Sequence, residues 1–288
     1  MSSPRISFEF FPPQGLDATF RLFEAVQILA PLEPSYVSVT YGAGGGTRKL
    51  THEAVATIGR HYGLKVAAHL TCVDASRAET MEIAESYAAL GVTEIVALRG
   101  DPPKGAAGFV PHPEGFKDTA ELVAALAATG KFKIHVGAYP EPHPEAAHLH
   151  SDIQWLKRKV EAGASSAITQ FFFEAETFLR FRDACVQAGI TVPIIPGILP
   201  IQSWDGAKRF ALRCGAFVPP RLEESFHYAV RDGREALLAL TQCTTLCDRL
   251  IAEGVEGLHF YTLNRPHLTR DVVRVLGLTP DVALEKVA

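Results

Sequence analysis

The chain has 288 residues, of which 47% are hydrophobic, and its formal net charge is −4. This balance excludes a strongly basic surface of the kind that binds nucleic acid or a membrane, so we expect neither partner. No apolar run approaches the roughly 18 residues that a membrane-spanning helix needs, and the N-terminus does not resemble a signal peptide. Five cysteines, an odd number at scattered positions, are typical of reduced thiols. We therefore expect a cytoplasmic protein in which residues 1–288 form one catalytic domain.

Eight short apolar or β-branched runs occur along the chain, and a helical pattern follows each of them. Alternating strands and helices indicate parallel βαβ units, and eight units predict an α/β fold, a (β/α)8 TIM barrel with extra helices. The active site of such a barrel lies at the carboxyl ends of its strands. The predicted strands are residues 5–11, 36–41, 65–72, 94–100, 133–139, 166–173, 192–199 and 257–264.

Two connections that follow predicted strands are rich in proline. Residues 101–114 contain four prolines and two glycines, and residues 139–151 contain three prolines and three histidines. We expect both connections to border the functional mouth of the barrel. Residues 217–232 are predicted to be an insertion, to which the sequence assigns no role.

Alternation along each strand predicts which side chains point into the barrel, because residues two apart share a face. In the first strand this rule places Ser7, Glu9 and Phe11 inside. Polar groups at the ends of six strands are costly to bury unless they are paired or bind a ligand, which favours a functional site. His135, which lies deeper, is as consistent with a structural role. The other pairs grouped by this rule are Ser38 with Thr40, His69 with Thr71, Arg99 with Asp101, His135 with Tyr139, and Ile168 with Gln170.

Glu9 is the candidate acid of this set. Because phenylalanines flank it, desolvation is expected to disfavour its ionised form and keep it protonated near neutral pH. A nearby Asp101 would raise the pKa of Glu9 further. The alternative is that Glu9 pairs with Arg99 and only braces the barrel.

Two other reaction classes are less well supported. No lysine ends a predicted strand, which argues against a Schiff-base aldolase. His69 is the one histidine near a predicted strand end, so a metal hydrolase is disfavoured and we predict no metal. His143, His148 and His150 are the remaining metal candidates, although such a loop more often covers a ligand.

Two features suggest contacts to a nucleotide. The glycine-rich run at residues 42–47 matches neither dinucleotide-binding fingerprint nor P-loop, but its position between strand and helix allows close backbone approach. Arg158 and Lys159 follow Asp152 on one predicted helix and are suited to hold ribose and pyrophosphate. A solvated basic helix face explains these residues equally well.

Eight motifs, in order along almost the whole chain, together resemble those of the bacterial methylenetetrahydrofolate reductases. Any one of them alone would be weak evidence. The motifs are FEFFPP at 8–13, VTYGA at 39–43, HLTC at 69–72, LRGD at 98–101, YPEPHPE at 139–145, ITQFFF at 168–173, PGILP at 196–200 and YTLNR at 261–265.

The resemblance implies a barrel without the C-terminal regulatory domain of the eukaryotic forms, and a reaction in two halves at one site. NADH or NADPH reduces a bound FAD, and the reduced flavin then converts 5,10-methylenetetrahydrofolate to 5-methyltetrahydrofolate. Glu9 is implied to protonate nitrogen 10 of the folate, while Asp101 stabilises the cation at nitrogen 5 and adjusts the flavin potential. Homo-oligomers are common in this family, and the sequence does not distinguish NADH from NADPH.

The resemblance also implies a set of binding residues. Glu9, Asp101, Gln170, Phe210 and Arg265 correspond to substrate contacts. Two positions depart from the family pattern: Trp155 replaces a smaller polar flavin contact, and Gly206 replaces a polar folate contact. The residues expected to bind FAD are Thr40, Tyr41, Ala43, His69, Arg99, Gly100, Asp101, Tyr139, His143, Asp152, Trp155, Arg158 and Lys159.

Three alternatives stay open at this point. One is a barrel oxidoreductase that uses another flavin or pterin donor, and a second is a metal hydrolase. The third is a non-catalytic flavin-binding or folate-binding subunit, against which a buried acid at Glu9 argues.

Overall fold

The protein forms a parallel barrel in a computed structural model, which describes residues 3–41, 48–101, 109–142 and 149–279. Within these ranges all strand pairs are parallel, in the order β7-β6-β5-β4-β3-β2-β1-β9-β8. The strands are β1 (Arg5–Phe10), β2 (Tyr36–Val39), β3 (Val66–Thr71), β4 (Glu94–Leu98), β5 (Lys133–Ala138), β6 (Ser166–Thr169), β7 (Ile194–Ile195), β8 (Gly197–Ile198) and β9 (Gly257–Tyr261).

Helices follow the strands, and polar caps define where two of them begin. Ser76 and Glu79 form a reciprocal capping box before α3, and Asp118 caps α4. No helix in the described part of the chain is both long and apolar enough to cross a bilayer. The helices are α1 (Leu16–Leu29), α2 (Arg48–Tyr62), α3 (Arg77–Ala89), α4 (Thr119–Ala128), α5 (Leu149–Glu161), α6 (Ala175–Gln187), α7 (Trp204–Cys214), α8 (Pro220–Arg231), α9 (Glu235–Ala252) and α10 (Pro266–Val275).

The barrel closes through a seventh strand that is split in two. β7 pairs with β6, whereas β8 pairs with β9, and only Pro196 separates the two halves. Proline has no N–H to donate, but its carbonyl accepts the His259 N–H at 3.0 Å and so continues the ladder. β7 and β8 together are the single strand predicted at residues 192–199. The predicted (β/α)8 barrel is therefore confirmed.

The two faces of the strands bury different residues. Ile6, Phe8 and Phe10 of β1 belong to the large core between barrel and helices, as the alternation predicted. The barrel interior holds a small apolar cluster of Tyr36, Ala67, Val96 and Ile168, against which Leu98 packs.

The alternation prediction was wrong for the fourth strand. Val96 and Leu98 are its inward residues, so Arg99 and Asp101 do not belong to the inward set of that strand. The strand ends at Leu98, and Gly100 has φ +87, which breaks the alternating geometry. Arg99 and Asp101 consequently occupy the loop that leaves the barrel mouth.

The predicted insertion at residues 217–232 contains α8. Phe226 of α8 stacks on Trp204 of α7, with ring centroids 4.5 Å apart. Both residues belong to a second core cluster, which also contains Phe171 and Leu199. The insertion thus supports α7 against the residues that follow β6 and β8.

Gly197 is required by close packing at the closing strand. A Cβ at this position would lie 2.1 Å from the Thr169 carbonyl oxygen and 2.6 Å from the Tyr261 ring. We expect Gly197→Ala to lower the free energy of unfolding by about 1–3 kcal/mol, as overpacked cores do. Chemical denaturation measures the change.

Gly59→Ala is the matched control, because a Cβ at Gly59 in α2 would meet its nearest atoms at 4.0 Å. Alanine in a helix interior should raise stability by up to about 1 kcal/mol. Equal effects of the two substitutions would contradict the packing argument.

Candidate active site

A carboxylate lies between two histidines inside the barrel. Glu9 Oε2 lies 3.4 Å from His69 Nε2 and 3.7 Å from His259 Nε2. The three side chains come from β1, β3 and β9. Strand β9 pairs directly with β1, and β2 lies between β1 and β3. The Glu9 side chain is 14% exposed, whereas both imidazoles are more deeply buried. Glu9 is therefore the member of this group, the Glu9 cluster, that a ligand can reach most easily.

The charge state of Glu9 differs from the sequence-based expectation. Burial raises the pKa of Glu9, but interactions with His259 and His69 outweigh burial and hold the pKa at about 2. The expectation of a protonated Glu9 considered only the phenylalanines, which point away from the interior. With its pKa at about 2, Glu9 is a carboxylate at neutral pH, and His69 and His259 contact it.

The loop after β9 holds the ends of two strands together beside Glu9. Thr262 Oγ1 donates to the Glu9 carbonyl at 2.6 Å, and the Asn264 side chain exchanges two hydrogen bonds with the Phe11 backbone. Leu263 and Asn264 both have positive φ, at 52° and 54°. This conformation is unfavourable for leucine and is often found at functional sites. The loop leads directly to the exposed Arg265.

The expected substrate contacts lie around the carboxyl ends of several strands. The backbone N–H of Gln170 donates to the Ala138 carbonyl, and its side-chain oxygen accepts from the Phe171 N–H at 3.0 Å. Phe210 of α7 stacks on Phe171, with ring centroids 5.1 Å apart. An aromatic surface therefore adjoins the position of Gln170.

Four of the expected cofactor residues, Asp152, Trp155, Arg158 and Lys159, come from α5. The Lys159 ammonium donates to the Gly137 carbonyl, and desolvation by burial lowers the pKa of Lys159 to about 8. Arg158 contacts Asp118 at 3.3 Å and lies 4.2 Å from the centre of the Trp155 ring. Trp155 is 46% exposed. The helix thus presents a buried ammonium near an exposed aromatic ring and a guanidinium.

The loop after β4 approaches the end of β5. Arg99 and Asp101 both influence the pKa of Tyr139, which desolvation by burial raises to about 12. Asp152 acts on the same phenol, so these charges lie around Tyr139. Gly100 is needed here because its φ is +87 and a Cβ would lie 2.7 Å from Val73.

The remaining cofactor positions are less completely described. The Thr40 backbone N–H donates to the Phe10 carbonyl, and the Thr40 carbonyl accepts a hydrogen bond from the Thr51 hydroxyl. Desolvation by burial raises the pKa of Tyr41, and a nearby Arg48, which also hydrogen-bonds the phenol, partly offsets this increase. The expected contacts Ala43 and His143, like the metal candidate His148 and the glycine-rich run at residues 42–47, lie outside the described residues.

Sequence reasoning missed His259. Its Nδ1 is 2.8 Å from Ser7 Oγ, and its ring is fully buried between Tyr36 and Tyr261. The alternation rule would have placed Gly257, His259 and Tyr261 inside the barrel. The sequence-based prediction relied instead on the motif YTLNR at residues 261–265, at the end of this strand.

Comparisons with known proteins give the family. The family model for methylenetetrahydrofolate reductase matches residues 1–277. The chain belongs to the methylenetetrahydrofolate reductase family. It is 44% identical over 282 residues to 5,10-methylenetetrahydrofolate reductase of Pectobacterium carotovorum, covering 96% of this chain and 92% of that protein. The corresponding Escherichia coli protein is 43% identical over 276 residues, and the match covers 96% of this chain and 91% of that protein. This methylenetetrahydrofolate reductase family member is therefore an oxidoreductase.

More distant relatives extend the comparison. An Arabidopsis thaliana methylenetetrahydrofolate reductase (NADH) is 34% identical, but only 49% of its length is covered. An uncharacterised Clostridium thermocellum protein, described as binding two copies of 5-methyl-5,6,7,8-tetrahydrofolic acid, superposes with a TM-score of 0.59 at 12% identity. The superposition covers 96% of this chain and 95% of the Clostridium thermocellum protein. At this identity the match shows that the barrel fold is shared.

The Glu9 cluster of this methylenetetrahydrofolate reductase family member predicts a specific sensitivity to acid. Because the pKa of Glu9 is lowered from 4.5 to about 2, its carboxylate stabilises the fold above pH 4.5 and this stabilisation is lost as pH falls. Glu9→Gln removes the effect. From roughly pH 6 to pH 3, wild type should lose about 2 kcal/mol more unfolding free energy than Glu9→Gln.

The measurement is urea denaturation at several pH values. Glu82→Gln, on the exposed side of α3, removes a carboxylate without touching the Glu9 cluster and should follow wild type. Equal acid sensitivity of wild type and Glu9→Gln would contradict the assigned charge state.

Proposed function

We propose that this chain reduces 5,10-methylenetetrahydrofolate to 5-methyltetrahydrofolate, with NADH or NADPH as electron donor and FAD as bound cofactor. The observation that carries the proposal is the Glu9 cluster at the mouth of the barrel, where an accessible carboxyl group adjoins two imidazoles. Simple ligand binding does not require such a group in a barrel interior, whereas proton transfer to a substrate does. The family membership supports the same reaction.

The residues of α5 suit the nucleotide part of FAD. An ammonium with a depressed pKa is an unfavourable charge, and a neighbouring pyrophosphate would relieve that cost at Lys159. Trp155 offers an exposed ring for stacking, and Arg158 lies next to it. This pairing agrees with the idea that stacking replaces the smaller polar contact of other family members.

A bound flavin would supply the hydride-transfer chemistry between the nicotinamide and the folate. The chain contributes orientation, electrostatics and proton transfer. Phe210 and the neighbouring Phe171 provide the aromatic surface for a pterin or nicotinamide ring, with Gln170 beside them. Arg265 is exposed at the start of α10 and is suited to a carboxylate of the folate tail.

Two carboxylates have different tasks in this proposal. Opening the five-membered ring of the folate leaves nitrogen 10 in need of a proton and nitrogen 5 as a cationic iminium. Glu9 delivers the proton to nitrogen 10, and Asp101 stabilises the cation. Because His259 and His69 hold the pKa of Glu9 at about 2, Glu9 must receive that proton from its neighbours when the folate is present.

The direct test is the visible spectrum of the purified protein under anaerobic conditions. A flavin absorption band that NADH bleaches and methylenetetrahydrofolate restores would support both half-reactions. Protein that is colourless and takes up no added FAD would contradict the proposal. Flavin turnover with no response to folate would favour a barrel oxidoreductase with another acceptor.

Glu9→Gln should separate the two half-reactions. The variant keeps the size of the side chain but cannot donate an acidic proton, so reoxidation by methylenetetrahydrofolate should slow by about a hundredfold or more. Reduction by NADH needs no proton from Glu9 and should persist. Stopped-flow absorbance measures both rates, with Glu82→Gln as the control. Equal losses in both half-reactions would argue against the acid role.

Lys159 should make FAD affinity depend on pH. Because the pKa of Lys159 is about 8 before an anion binds, the ammonium is lost as pH rises through that value. FAD should bind about tenfold more weakly at roughly pH 9 than at roughly pH 7. Flavin fluorescence during titration of the apoenzyme measures the affinity.

Lys159→Met should bind FAD weakly and with little pH dependence over this range. Lys157→Met, two residues away on α5, is the matched control and should retain the wild-type dependence. The same pH profile in Lys159→Met and wild type would exclude Lys159 as the source.

A further inference from the structure

The barrel interior has a second opening, at the amino ends of the strands and opposite the candidate active site. A cavity of about 130 Å³ lies there. It reaches inward as far as Ser7, which lies two residues before Glu9 on the inward face of β1. Polar and charged residues on its wall include Arg5, Ser7, Tyr36, Glu94, His135 and Ser166.

The side chain of His259 links this cavity to the Glu9 carboxylate. Ser7 Oγ lies 2.8 Å from Nδ1 of His259, and Nε2 of the same ring lies 3.7 Å from Glu9 Oε2. His259 is fully buried, and its Nε2 has no hydrogen-bond partner among the described residues. The ring thus presents one nitrogen to the hydroxyl at the cavity and the other toward the acid.

The reaction creates a need for such a connection. A general acid must recover a proton in every turnover, and with a pKa of about 2 Glu9 holds no proton at neutral pH. The residues suited to folate and cofactor surround the carboxyl-end mouth, so bound ligands cover Glu9 from that side. The amino-end cavity is lined by other residues and, at about 130 Å³, is large enough to hold water.

We propose that Glu9 receives its proton from water at the amino-end mouth, through Ser7 and His259, an inference that rests on the acid role of Glu9. Water in the cavity donates a proton to Ser7 Oγ while the Ser7 hydroxyl proton moves to His259 Nδ1. The Nε2 proton of the ring then moves to the Glu9 carboxylate. The hydroxide left in the cavity takes a proton from a buffer acid, and tautomerisation returns the ring to its starting form.

Other titratable groups border this path without replacing it. His69 of β3 contacts Glu9 from the opposite side, and Tyr36 of β2 stacks on His259. Both nitrogens of His135 are engaged, at 2.6 Å to Ser166 Oγ and 2.8 Å to Glu94. His135 with Glu94 therefore forms part of the cavity wall, whereas His259 is placed to pass a proton inward. Tyr261 contacts the His259 ring edge-on and donates its hydroxyl to the Thr169 carbonyl.

Ser7→Ala interrupts the path at the cavity without changing Glu9. In the FAD-loaded enzyme we expect stopped-flow reoxidation by methylenetetrahydrofolate to slow about tenfold or more. Reduction by NADH should be unchanged, which also reports that the variant is folded. Small acids such as formic acid or imidazolium, which fit the cavity, should restore the rate. Ser7→Thr keeps the hydroxyl and should retain activity.

Ser35→Ala is the matched control. Ser35 also lines the cavity, but its hydroxyl donates to the Ile6 carbonyl at 3.0 Å and not to a histidine. The substitution removes a hydroxyl from the same cavity wall and should leave both half-reactions at wild-type rates. If Ser7→Ala does not fold, Ser7→Val compared with Ser7→Thr tests the path instead, because these two side chains have nearly the same shape and differ in the hydroxyl that contacts His259.

The outcomes separate this inference from the proposed function. If reoxidation by methylenetetrahydrofolate is slow in Glu9→Gln but has the wild-type rate in Ser7→Ala, the proton path through Ser7 is contradicted and the acid role of Glu9 is not. A wild-type rate in Glu9→Gln would overturn both. Slowing of Ser7→Ala that no small acid relieves, or that affects NADH oxidation equally, would mean that Ser7 has a purely structural role.

Discussion

Closure of the parallel sheet is the constraint on which the site depends. β9 pairs with β1 on one side and, on the other, with β8, the second half of the strand divided at Pro196. That closure brings His259 beside Glu9, although the two residues are 250 positions apart in the chain. The lack of a side chain at Gly197 lets the Tyr261 ring cross beside the closing strand. The close packing at Gly197 and the position of His259 beside Glu9 therefore both depend on closure of the sheet.

The Glu9 cluster illustrates how a barrel can hold a charge in its interior. An isolated buried carboxylate would be neutralised or destabilising, since its desolvation costs several kcal/mol. Two imidazoles facing Glu9 outweigh that cost and lower its pKa. The same imidazoles can exchange protons, which a guanidinium cannot. A structural ion pair and a proton-transfer site are thus compatible in one arrangement.

The sequence predicted much of the fold and part of the site. Alternation in the first and third strands correctly predicted that Glu9 and His69 face the interior, because both strands keep their extended geometry over those residues. The same rule failed at Arg99 and Asp101, since Gly100 ends the regular geometry. Desolvation by phenylalanines gave the wrong charge state for Glu9. Those rings lie on the outer face of β1, while imidazoles from other strands determine the pKa.

The sequence by itself determined the number and order of the strands, the inward position of Glu9 and, through its motifs, the resemblance to one family. These properties depend on local periodicity and short runs of residues, which can be read directly. Only the tertiary structure decided that His259 joins Glu9, and that Ser7 connects this pair to a cavity at the far mouth. Such contacts depend on strand register and closure, and a one-dimensional pattern carries no information about which residues meet across the barrel.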